Sequence, residues 1–172
     1  MAYSRTDLFY GLTRIPQRFR SIQVCGCDVV VRDLGVYLDS ELSMKHHVNK
    51  IASACFYHIR ILRQIRHHVS REVLKQLVTS LVLSRLDYCN AILADLPAST
   101  LLPLQRAQNA TARHVFGLNR RSSITTAPRD LHWLSVKHRI TFKVATLMHQ
   151  ALHRRCPAYL ADLVAFSSTD SH

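Results

Sequence analysis

The chain has 172 residues, 48% of them hydrophobic and only four of them glycine, which excludes a disordered or low-complexity polypeptide and fits one domain. A domain of that size removes about 70% of its unfolded surface from water. The 23 Lys and Arg against 11 Asp and Glu give a formal charge of +12 and a pI near 10.1, pointing to polyanionic partners, nucleic acid foremost, or else an acidic protein.

Five cysteines (Cys25, Cys27, Cys55, Cys89, Cys156) are odd in number and lack framework spacing, so they read as reduced thiols of an intracellular protein, in cytoplasm or nucleus. Charges interrupt every apolar run before the roughly 18 residues a membrane helix needs, so no membrane partner is expected. The Arg-rich, acid-poor start has the composition of a mitochondrial presequence, but Pro16 and the strand-like Leu8-Phe9-Tyr10 argue against one.

In chain order, Leu8 to Leu12, Ile22 to Cys25, Val29 to Val31 and Leu34 to Leu38 are short β-rich runs, with Gly26 placed for a tight turn. A first helix is predicted after an N-cap at Ser43, reaching about Arg66, with Val48, Ile51, Cys55, Ile59 and Leu62 as its buried stripe. The opposite stripe carries His46, Lys50, Tyr57, Arg60, Gln64 and His67, with Arg63 alongside. A second helix runs from Ser70 to about Leu93, before Pro97. A third spans about Ser99 to Phe116, with Pro103 tolerated in its first turn and Gly117 as its C-terminal cap. A basic loop, 118–129, and the segment Leu131-His132-Trp133-Leu134 lead to a fourth helix from Ser135 to about Arg154. Pro157 opens a short last helix, and 167–172 frays. The fold class is mainly α: a bundle of about four to five helices with a small N-terminal β-hairpin element.

The second helix holds a dense polar run, SRLDYCN (84–90). At about 100° per residue, Leu74, Leu77, Val78, Leu81, Tyr88 and Ile92 share a face with Arg85 in its middle, while Asp87 and Asn90 point away. The polar groups diverge, so no nucleophile–base–orienter chain runs through them. Arg85 on an apolar face calls for a carboxylate such as Asp33 or Asp39, since an unpaired buried charge costs several kcal/mol; the other reading is a side chain that snorkels at the rim. Zinc is disfavoured: one residue separates Cys25 from Cys27, and Cys55 belongs to the buried stripe, while the histidines scatter. Nucleotide-binding and hydrolase signatures are absent. Lys50, Arg60, Arg63 and Arg66 with Tyr57 among them can follow a phosphate backbone and offer a ring for stacking, and Arg120, Arg121, Lys137, Arg139 and Lys143 extend the footprint. The bland reading of the same charges is a solvated face.

Five stretches in this order carry a resemblance: VRDLGVYLDSELS (31–43), SRLDYCNAIL (84–93), LPAST followed by LQRAQNATAR (96–113), LHWLSVKHRITFK (131–143) and CPAYLADL (156–163). Together they resemble the C-terminal part of reverse transcriptases from non-LTR retrotransposons, LINE and Jockey-like elements. RTDLFYG (5–11) is similar to a palm strand of that family, with Arg5 at a lysine position and Asp7 at a glutamate. The resemblance implies that 1–40 corresponds to the end of the palm and its hairpin, 43–165 to the helical thumb that grips a template–primer duplex, and 166–172 to a disordered tail. It also implies that the catalytic Asp-Asp pair is missing, since no two Asp residues are adjacent, and Arg5 is a poor proton donor beside a lysine. Magnesium belongs to that missing palm, where two-metal chemistry needs converging carboxylates, so no cofactor is expected in this chain. Departures include a missing linker before Val31, Ser135 at a frequent proline position, and Ile-Thr-Thr (124–126) for Ile-Thr-Pro.

The expectation is a truncated RNA-directed DNA polymerase fragment that grips an RNA–DNA hybrid or duplex through backbone contacts, without catalytic residues. Arg85, Asp87, Tyr88 and Trp133 are assigned structural roles. The alternatives are a helical protein–protein module, joining a reverse-transcriptase core or a second copy of itself, and a non-functional reading frame of a decayed element.

Overall fold

In the computed structural model, residues 30–119, 123–124 and 127–161 are described. They belong to two compact units, 30–141 and 142–161. The expected strands at Leu8 to Leu12 and Ile22 to Cys25, Gly26, the Cys25–Cys27 pair, the family positions Arg5 and Asp7, and the tail 166–172 lie outside the described residues.

Strands β1 (Val31–Asp33) and β2 (Val36–Leu38) pair antiparallel, with Asp33 opposite Val36. Only Leu34 and Gly35 separate them, and both take positive φ, 43° and 83°. Two successive positive φ values match the right-handed twist of a tight hairpin. Leucine is a costly occupant of that region. Tyr88 compensates: its hydroxyl donates to the Leu34 carbonyl at 2.7 Å, and its ring lies against Gly35, where a Cβ would stand 3.4 Å away.

Helix α1 (Lys45–Ile65) buries His47, Val48, Ala52, Cys55, Ile59 and Leu62 on one stripe. Ser43 is not its N-cap, contrary to the sequence expectation. Met44 occupies that place in the left-handed region, while the Ser43 hydroxyl and N–H both donate to the Asp39 carboxylate, at 2.5 and 2.6 Å. Helix α2 (Arg71–Val78) does begin as its sequence predicts, with the Ser70 hydroxyl accepting from the Val73 N–H.

The chain then departs from α geometry. Thr79–Leu83 form a π turn, in which the Ser84 N–H reaches the Thr79 carbonyl five residues back. The hydroxyls of Thr79, Ser80 and Ser84 bond to carbonyls of the preceding turn. One short α turn follows, α3 (Ser84–Asp87), and the helix ends at Tyr88 (extended) and Cys89 (φ 50°) before a 3-10 turn at Asn90–Leu93.

The wider turn corrects the angular reading of SRLDYCN. Buried positions recur every four residues, Leu74, Val78, Val82, Leu86 and Asn90, joined by Leu83 and Leu93. A uniform 3.6-residue period instead places Arg85 and Tyr88 inside and Asn90 outside. Both are exposed, and Asn90 is buried. Arg85 has no ion-pair or hydrogen-bond partner among the described residues: Asp39 is taken by Ser43, and Asp33 is exposed. Its charge is felt by Cys55 and His58, which places it at the rim beside α1, so the snorkelling alternative holds.

Helix α4 (Ala98–Phe116) lies alongside α1 and runs in the same direction. Lys45 and Asn49 meet Ser99 and Thr100 at one end; Leu62 and Arg66 meet His114 and Gly117 at the other. Ala107, Thr111 and Ala112 are fully buried, and such small residues let the two backbones approach. Gly117 (φ 71°) ends α4 as predicted: its N–H donates to the His114 carbonyl and that of Leu118 to Arg113. A short turn, α5 (Ala127–Asp130), precedes α6 (Val136–Leu152), and α7 (Ala158–Ala161) follows Pro157. The molecule is thus mainly helical with a two-stranded hairpin on its N-terminal side.

Candidate nucleic-acid interface

The long helices α1, α4 and α6 contain no Asp or Glu. Among the described residues the single ion pair is Arg139–Asp87, at 2.6 Å. Among the described residues the other cations make no ion pair with a carboxylate.

On α1 the exposed half holds Lys50, Tyr57, Arg60 and Arg63, as predicted, and also Lys45, Phe56 and Ile61. From Lys50 to Arg63 the charges span about 20 Å of helix, at 1.5 Å per residue. Tyr57 is 58% exposed and Phe56 42%, an unusual pair of rings to leave in water between Lys50 and Arg60. Their positions suit stacking, and the cations suit phosphate oxygens.

Other predicted residues have different surroundings. Arg66 is half-buried, its guanidinium against Gly117. Arg139 is committed to the fold: besides Asp87 it donates to the Leu134 carbonyl at 3.1 Å. Lys137 is exposed at the start of α6, and Lys143 is exposed in the other unit. Arg120 and Arg121 lie outside the described residues. Of the structural candidates, Asp87 anchors Arg139, Tyr88 anchors the hairpin turn, and Trp133 packs half-buried against the core.

A polar cluster that the sequence reading missed holds the start of α6 to α4. The Gln105 carbonyl oxygen accepts from the Val136 N–H at 3.0 Å, and the Gln108 amide donates to the Leu134 carbonyl at 2.7 Å. Gln105 also donates to Gln108 and to Asn109, at 3.3 and 2.9 Å. The available signal was Gln108 itself, a polar side chain in line with Leu101, Leu104, Thr111 and Val115 on the buried face of α4.

Two imidazoles are buried neutral. The His47 Nδ1 accepts from the Tyr37 N–H at 3.3 Å, and burial holds its pKa below the ordinary 6.5. His114 is lowered first by burial and then by the Arg66 charge, with a Leu62 carbonyl bond opposing. Each binds a proton more readily in the unfolded chain than in the folded one. Stability is therefore full above about pH 6.5 and declines as pH falls below that value. Denaturant midpoints at neutral and mildly acidic pH should show this loss, and His47→Asn, which keeps an acceptor without a titrating group, should reduce it.

No nucleophile emerges from the site. The buried Cys55 thiol points to the Val82 carbonyl, and desolvation, only partly offset by Arg85, pushes its pKa up to about 11. No group of three metal-ligating side chains occurs among the described residues, and none of their helices is long and apolar enough to cross a membrane. The arrangement offers electrostatic and stacking contacts to a polyanion. Compared with protein-family models, curated proteins and solved structures, the chain finds no match.

Proposed function

We propose that this chain grips a nucleic-acid duplex by its backbone, as the thumb region of a non-LTR retrotransposon reverse transcriptase would, with no polymerase chemistry of its own. The observation that carries the reading is the exposed face of α1, where Lys50, Arg60 and Arg63 make no ion pair among the described residues and surround Tyr57 and Phe56. The ordered stretches resembling that family, from 31–43 through 156–163, supply the second support. Contacts of this kind bind phosphate and sugar without reading base sequence. An RNA–DNA hybrid is the expected ligand. If about six phosphates are engaged, the log–log dependence of affinity on salt has a slope near −5, measurable by fluorescence anisotropy; an affinity indifferent to salt rejects the reading.

A second reading, a helical module that joins another protein or a copy of itself, draws on Phe142, Leu147, Met148 and Tyr159, all exposed in the unit 142–161. Light scattering across protein concentration, with and without hybrid, separates the two.

A further inference from the structure

At the end of the molecule where α1 and α4 both terminate, a cavity of about 230 Å³ is lined by Arg66, Val69, Arg71, Leu74, Val115 and Phe116. We propose that this cavity binds one phosphate group, held between the guanidiniums of Arg66 and Arg71.

The two arginines are positioned by different means. The Arg71 guanidinium lies over the Phe116 ring, 4.4 Å from its centroid, a cation–π contact that holds it beside the cavity. The Arg66 guanidinium rests against Gly117, in space that any residue with a Cβ would claim. Neither makes an ion pair among the described residues. A pair of forked donors on a small recess is the geometry that recognises a tetrahedral oxyanion.

Charge balance favours the same ligand. The carbonyl ends of α1 and α4 bring roughly half a negative charge each, and the start of α2 returns about half a positive one. Glu72 is the acidic residue in the first turn of α2. Against these stand Arg66 and Arg71, with Arg63 and Arg113 in the last turns of α1 and α4. Between about two and three positive charges remain, which a phosphate matches better than a carboxylate does. In the last turn of α4, the Arg113 Nε is buried with no hydrogen-bond partner among the described residues.

The phosphate has two sources, a nucleic-acid backbone or the free anion. The backbone source rests on the function proposed above; the phosphate site itself does not. The test follows the Nε–Hε resonances of Arg66 and Arg71 by NMR in the full chain, during titration with inorganic phosphate, with chloride at matched ionic strength, and with an RNA–DNA hybrid. Phosphate should move both resonances saturably and chloride should not. The double variant Arg66→Gln/Arg71→Gln should bind phosphate about tenfold more weakly or worse, as expected for lost charge-assisted bonds. Absence of a saturable shift, or an equal response to chloride, overturns the site even if hybrid binding is intact. The wild-type titration decides this whether or not the double variant folds. Shifts with phosphate but no binding of hybrid uphold the site and remove the duplex reading. Matching shifts with both ligands identify the backbone as the source.

Discussion

Replacing Lys50, Arg60 and Arg63 together by glutamine is expected to flatten the log–log salt dependence of hybrid binding by about three units, since each phosphate contact contributes roughly 0.9. Extrapolated to a reference near 1 M, that change is about a hundredfold in affinity at about 0.15 M salt. The three side chains are exposed and make no ion pair among the described residues, and glutamine keeps the helix propensity. Melting should therefore be unchanged, which isolates the binding effect. Arg139→Gln is the internal control. That guanidinium is held by Asp87 and the Leu134 carbonyl, so its loss should leave the salt slope where it was. A triple variant with the wild-type slope would show that the α1 face is only solvated surface.

Gln108→Leu is expected to lower unfolding free energy by about 2 kcal/mol, although leucine matches the site in size and suits a helix better. The reason is what the amide leaves behind. The Leu134 carbonyl loses the closer of its two donors, at 2.7 Å, keeping only the Arg139 Nε at 3.1 Å, and one of the contacts of Gln105 disappears. Gln105 caps the first N–H of α6 through Val136, so the effect extends to how that helix starts. Denaturant midpoints with an unchanged m-value would show a pure stability loss. An unchanged midpoint would mean that apolar burial of the leucine offsets the broken polar cluster.

Much of the helical frame was legible because its signals are local. The Ser70 cap, the start of α4 after Pro97, and the Gly117 stop depend on residues within one turn of themselves, and each stands where the sequence placed it. The exposed half of α1 was readable for the same reason, since its period stays near 3.6 for 21 residues. Ser43 shows where local reasoning fails. A good capping residue was diverted by Asp39 four residues earlier, and the helix began one residue after Met44 instead.

The sequence by itself determined that the protein is mainly helical, that a hairpin precedes the helices, and that α1 presents arginines and a tyrosine to water. Periodicity, composition and short-range caps carry that information. Only the tertiary structure decided which face of 71–93 is inside. A π turn at Thr79–Leu83, bonded through hydroxyls to the preceding carbonyls, sets every later side chain back around the axis, and nothing in a fixed 100° step anticipates it. The same turn carries Arg85 to the rim without a partner among the described residues and Asn90 into the core. It leaves Tyr88 free to reach the carbonyl of Leu34, 54 positions away. Long-range choices of this kind, Asp87 with Arg139 and Gln105 with Val136 among them, depend on which elements meet in space, and single-chain spacing does not encode that.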